Sequence, residues 1–250
     1  MSDNYIGNVL SLLRLLRNGD KNHSAMSYVI QWIAKEDQTH AQIMRICTYV
    51  LDQVAGARFV IVGSQLSDEA KNGLLETTDA IMNAFSIGGM QSPVHNYIPA
   101  LDAAISNFAI LASATGMVEF IVPQELTELI AEVERVATLF DTDDFDPIVR
   151  ETAKRHMAVL LTMLNNVESL GVDAAVSAYY DLVIRLRRAT TASSNAAGEK
   201  VAALWPEVER WAGRLAIIEQ AVNSAGGLLA HFQAVPTLLH HAGKALGIAG

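Results

Sequence analysis

The chain has 250 residues, 18 Lys and Arg against 27 Asp and Glu, a formal net charge of −9 and one cysteine, Cys47. A single cysteine excludes an intrachain disulfide and a Cys-rich zinc site. Both halves carry more acidic than basic side chains, which argues against a general nucleic-acid binder, since phosphate neutralisation needs a cationic face. Hydrophobic residues make up 51% of the chain and aromatics only 6%, because Ala, Leu, Ile and Val dominate; such a composition suits closely packed helices. A chain of this length can bury roughly three quarters of its unfolded surface without a covalent staple. The lone cysteine and the start Met1-Ser2-Asp3-Asn4, with no basic leader, predict a reducing, cytoplasmic location and no secretory signal.

In chain order, a short apolar helix is predicted over 5–17, stopped by Asn18-Gly19-Asp20. Met26, Ile30, Ile33, Met44, Cys47, Leu51, Val54 and Ile61 then recur at threes and fours, interrupted at Asp37, His40 and Arg58. That stripe predicts one helix of about forty residues over 24–62 with a coiled-coil-like seam. Ser67 is the expected cap of the next helix, which Gly88-Gly89 ends, and the glycines and prolines between Gly88 and Pro99 read as a loop. The segment 99–118 is apolar nearly all round and is expected to be buried or to meet lipid.

Pro123 starts an amphipathic helix carrying Leu126, Leu129, Ile130, Val133, Val136 and Phe140. An acidic turn, Asp141 to Asp146, leads into a helix with Val149, His156, Leu160 and Met163 in step, closed by Gly171. A further helix runs from Asp173 into Arg187-Arg188, and the Thr, Ser and Ala residues of 189–198 read as a joint before a C-terminal helical segment, 199–250. Val201, Leu204, Val208, Trp211, Leu215, Ile218 and Val222 keep helical phase across Pro206, where a kink or restart is expected. The expected fold is all-α: one domain over 1–250, an elongated bundle of eight or nine helices, several of them long and coiled-coil-like.

Asp37 and His40, three residues apart on stripe positions, and His156, in another stripe, are the candidate buried polar or metal-binding residues. Di-metal bundles draw an acid-x-x-His pair from each of two helices; here the second pair is missing, because Lys154 and Arg155 precede His156. A buried Asp37–His40 hydrogen bond, or a pH-sensitive layer with His156, is the structural alternative. The run from Asp141 lacks the glycine and the final glutamate of an EF-hand and is read as a helix start favoured by the dipole. Arg185, Arg187 and Arg188 form the strongest positive patch, suited either to the helix C-terminus or to an anion or a partner's carboxylate. Neither a phosphate loop nor a nucleophile motif occurs, so no catalytic residue and no cofactor is expected.

Charge is unevenly placed. Asp102 and Glu119 are the only charged residues between Asp79 and Gln124, and none occurs from Gln220 through Gly243. Phe108, Ile110, Leu111, Leu228, Leu229, Phe232, Leu238 and Leu239 are therefore candidate membrane or assembly contacts, unless their helices form the bundle's centre. The leading expectation is a non-enzymatic helical protein that binds a protein partner or assembles with itself. The alternatives are a conditional membrane-active toxin or effector using 99–122 and 226–248, and a small-molecule sensor or metal enzyme centred on Asp37, His40 and His156.

Overall fold

In the computed structural model, residues 4–20, 22–34, 40–115, 123–142, 144–192 and 195–230 are described. The architecture is an all-α multi-helix bundle, with ten α-helices and no strand among the described residues. These residues gather into two compact units. The first draws on the described residues within 4–115, 168–171 and 222–230, the second on those within 123–167 and 172–221.

The first unit is built around α1, Tyr5–Asn18. Its Ile6, Val9, Leu10, Leu12, Leu13 and Leu16 are buried, and even Gly7 and Asn8 are enclosed, so this short helix is covered on nearly every side. Its neighbours are α3, His40–Gly63, and α5, Leu101–Thr115; α4, Asp68–Phe85, packs on α3 and α5. Asn4 caps α1 by accepting from the Gly7 amide at 3.2 Å, and Ser67 caps α4 by accepting from the Ala70 amide at 3.3 Å, as its position before an acidic first turn predicts.

The forty-residue helix expected over 24–62 is corrected. A single turn, α2 (Ala25–Tyr28), passes into a π-helical stretch, Val29–Ala34, and α3 is described from His40 onward, with 35–39 outside the described residues. The wider π winding shifts the phase of the side chains, so a stripe spaced for 3.6 residues per turn cannot stay on one face through it. Tyr28 holds this turn to the end of α1 by donating to the carbonyls of Leu16, at 2.8 Å, and Asp20, at 3.0 Å.

The expectation for α5 is also refined. Ala104, Ile105, Phe108, Leu111 and Ala112 make one buried stripe, while Ser106, Asn107 and Ser113 are exposed opposite. Small polar side chains on that face make the composition look apolar all round although the burial is one-sided. Ser106 and Ser113 send their hydroxyls back to the carbonyls one turn earlier, of Asp102 and Ala109.

In the second unit α7, Pro147–Asn165, and α9, Val172–Ala192, pack along each other most extensively. Helix α6, Gln124–Leu139, lies on α7 with Leu126, Leu129, Val133 and Val136 buried, the stripe read from the sequence. Asp146 caps α7 through the Ile148 amide at 2.9 Å, with Pro147 in its first turn. The short α8, Val167–Leu170, whose residues from Glu168 on belong to the first unit, ends at Gly171 of that unit, whose φ of +80° is the left-handed conformation glycine adopts without penalty. Helix α10, Asn195–Ala230, runs through Pro206 without interruption, so the expected restart is corrected; its buried Val201, Val208, Trp211, Leu215 and Ile218 keep the phase. Within the segment 189–198, α9 includes residues up to Ala192 and α10 is described from Asn195, with 193–194 outside the described residues.

Candidate functional site

The titratable residues singled out by sequence fall in different places. Asp37 lies outside the described residues, so the Asp37–His40 pair does too. His40 is exposed at the first described position of α3; its expected place in the core is corrected, because the π-helical stretch before it shifts the phase of the side chains off the buried stripe. His156, in the second unit, is partly buried at the edge of the α7 stripe, whose centre runs through Ala153, Met157 and Leu160. Its Nδ1 lies 3.3 Å from Asp181 Oδ2 on α9. The same carboxylate meets Arg185 Nε at 3.4 Å, one turn on. This trio can exchange a proton or hold a charge at the α7–α9 seam, and its two side chains besides the imidazole are a carboxylate and a guanidinium, which is not a metal-ligand set. Among the described residues no group of three or more His, Cys, Asp or Glu side chains is placed to hold a metal ion.

The three arginines separate. Arg185 is committed to Asp181; Arg187 sits 5.2 Å over the Trp205 ring and 3.9 Å from Glu209, both on α10; Arg188 is exposed. Arg187 therefore joins α9 to α10, a role that sequence reasoning missed because Trp205 and Glu209 lie a helix away and nothing local marks them. Further along α10, Arg214 meets Glu128 at 2.8 Å and Glu132 at 3.1 Å on α6, and its hydrogen bond holds the Glu128 carboxyl below its ordinary range. Lys200, 3.1 Å from Asp144, does the same for that carboxyl. The acidic turn is thus answered by bases on the helices around it: Lys154 reaches Asp141 at 2.6 Å.

Of the candidate membrane or assembly contacts, Phe108 and Leu111 are buried in the first unit and Ile110 is half-buried. Leu228 and Leu229 lie in the backbone of α10 with their side chains outside the described set; Phe232, Leu238 and Leu239 lie outside it altogether. The large apolar side chains that do face solvent are others. Phe59, 84% exposed, and Val62, 62% exposed, stand one turn apart at the end of α3; Tyr180, 58%, and Ile184, 49%, stand one turn apart on α9. Their signal in the sequence was apolar character off the buried stripe, which periodicity alone cannot distinguish from a wide core face.

A cavity of about 220 Å³ opens in the first unit between Leu16, Arg17, Tyr28, Val94, Ile98 and Leu101. Arg17 and Asp102 stand 3.9 Å apart at its rim. Cys47 is enclosed in α3, and burial pushes its thiol up to about 11, so it is neutral and unreactive near pH 7. Compared with protein-family models, curated proteins and solved structures, the chain finds no match.

Proposed function

We propose that this chain is a non-enzymatic helical protein that works by associating with a protein partner or with copies of itself. The observation that supports this most is the pairing of exposed large apolar side chains at helical spacing, Phe59 with Val62 and Tyr180 with Ile184. Exposed apolar residues scattered singly are ordinary, whereas neighbours one turn apart offer a strip that another helix can cover. The test is light scattering across a concentration range on the full chain and on the doubles Phe59→Ser/Val62→Ser and Tyr180→Ser/Ile184→Ser, with capture from a cell extract in parallel. Association that falls in one of the doubles, at unchanged helicity, supports the reading. A strict monomer whose captured proteins are the same for both doubles overturns it.

A second reading, conditional contact with a membrane, draws support from α3: its 24 residues include an 18-residue window of mean hydropathy 1.3, long and apolar enough to cross a bilayer. The 15 residues of α5 fall short of the roughly 20 that a span needs. Flotation with anionic and zwitterionic vesicles at neutral and mildly acidic pH tests it. Protein that stays at the bottom of every gradient overturns this second reading.

A further inference from the structure

Helix α9 exposes one line of residues: Asp173, Ser177, Tyr180, Ile184, Arg188 and Thr191. The steps are of three and four, so at 3.6 residues per turn these side chains share one face. The face opposite carries the buried Ala175, Ala178, Leu182, Leu186 and Ala189. The exposed line therefore points away from the core of its own unit. Its chemistry is ordered along the axis: acidic at the first turn, apolar at the centre with Tyr180 and Ile184 about half exposed, basic near the end.

That order is self-complementary under a two-fold rotation. When a second α9 lies antiparallel with the axis near Leu182, Tyr180 meets Ile184 of the second copy, and Asp173 falls opposite Thr191, within one turn of Arg188. The Asp173–Arg188 contact occurs twice, the two helix dipoles oppose each other, and the apolar centre is closed from water. Parallel pairing would set Asp173 against Asp173 and Arg188 against Arg188. We propose that this face of α9 is a homodimer interface, closed antiparallel by a second copy of the chain. The proposal rests on the association reading above and gives it a partner and a geometry. A single helix pair makes a small interface, below the roughly 1,200 Å² of stable complexes, so the dimer forms at micromolar or higher concentration and dissociates on dilution.

The test is sedimentation equilibrium of the full chain from about 1 to several hundred micromolar, with Asp173→Arg, Arg188→Asp and an equimolar mixture of the two. Each single reversal turns both symmetry-related contacts repulsive and weakens dimerisation about tenfold or more. In the mixture the heterodimer sets the arginine introduced in one chain against the aspartate introduced in the other, and the native Asp173 against the native Arg188, so association returns to near the wild-type strength. Circular dichroism confirms that each variant remains helical, and Tyr180→Ser/Ile184→Ser, which leaves every charge in place, should weaken the dimer as well. A wild-type dimer that both reversals leave unchanged, or that the mixture fails to restore, overturns the α9 geometry while the association reading stands. A wild-type monomer at every concentration overturns the dimer, and the association reading then depends on the capture experiment alone.

Discussion

Asn8 of α1 donates from Nδ2 to Gln53 Oε1 of α3 at 2.7 Å, and both side chains are almost wholly buried. This is a polar contact between two packed helices that also bury aliphatic side chains, Val9 and Leu12 on α1 and Val50 and Val54 on α3. Two amides can satisfy each other in one relative register of the helices, whereas aliphatic side chains tolerate sliding. The bond therefore fixes how α1 lies on α3 more than it adds to net stability.

Removing one partner exposes that asymmetry. Asn8→Leu leaves a buried amide oxygen of Gln53 without its donor and should cost about 1–3 kcal/mol, read as a lower urea midpoint. Replacing both, Asn8→Leu with Gln53→Leu, should recover most of the loss, because neither amide is then left without the other. A double variant no more stable than the single one would show that the pair matters through shape and not through hydrogen bonding.

The same glutamine sets the limit at Gly171. A Cβ there would come within 2.7 Å of Gln53 Nε2, and the backbone φ is +80°. Gly171→Ala should therefore destabilise by roughly 2 kcal/mol, from backbone strain and displacement of a buried side chain together. Gly213 is the contrast: it lies inside α10 and an added Cβ meets nothing within 4 Å. Gly213→Ala should stabilise by about 0.5–1 kcal/mol through helix propensity alone. Urea titrations of the two variants in opposite directions check both statements.

What could be read from the sequence divides along physical lines. The stripes of α6 and α10 were legible because each packs one face and turns charge outward, and Pro206 did not break the phase because the side chains on either side still share a buried line. The cap Ser67 was legible because capping is a local bond, and the acidic run was legible as a helix start, though not Asp146 as its cap. The π-helical turn at Val29–Ala34 was not, since its winding is imposed by packing and leaves the residue spacing unmarked. His156 illustrates the middle case. The sequence sets it in the α7 stripe and the structure at the edge of that stripe, and its partner, Asp181, stands on α9, where no periodicity within α7 specifies which carboxylate the neighbouring helix presents.

Alkaline pH reports on Cys47. Burial raises its thiol from 9.0 to about 11, so the folded chain holds that proton more tightly than the unfolded one. Its contribution is complete below about pH 9 and is lost as pH rises toward 11, an effect on the order of 2 kcal/mol over that window. Burial also raises Tyr28 and Tyr179, which lose stability in the same direction at higher pH. Stability of wild type should fall between pH 9 and 11 more steeply than that of Cys47→Ala. Thiol modification at pH 7 should be slow in the native chain and immediate in urea; prompt labelling of the native chain would place the sulfur within reach of solvent.

Helix α5 decides between a core and a working segment for the first uncharged run. Phe108 and Leu111 are buried, and Asn107, next to Phe108 in sequence, is exposed. Phe108→Ala should cost about 3–5 kcal/mol, the usual loss for a large aromatic removed from a closed core. Asn107→Ala, on the exposed face, should change stability by less than about 0.5 kcal/mol. A helix whose apolar residues served lipid or a partner would invert the pattern: Phe108→Ala would leave the unfolding midpoint where it was and abolish vesicle or partner binding. Unfolding curves and vesicle flotation on the same two variants distinguish these outcomes, and the enclosed position of Phe108 predicts that its removal is felt in the unfolding curve.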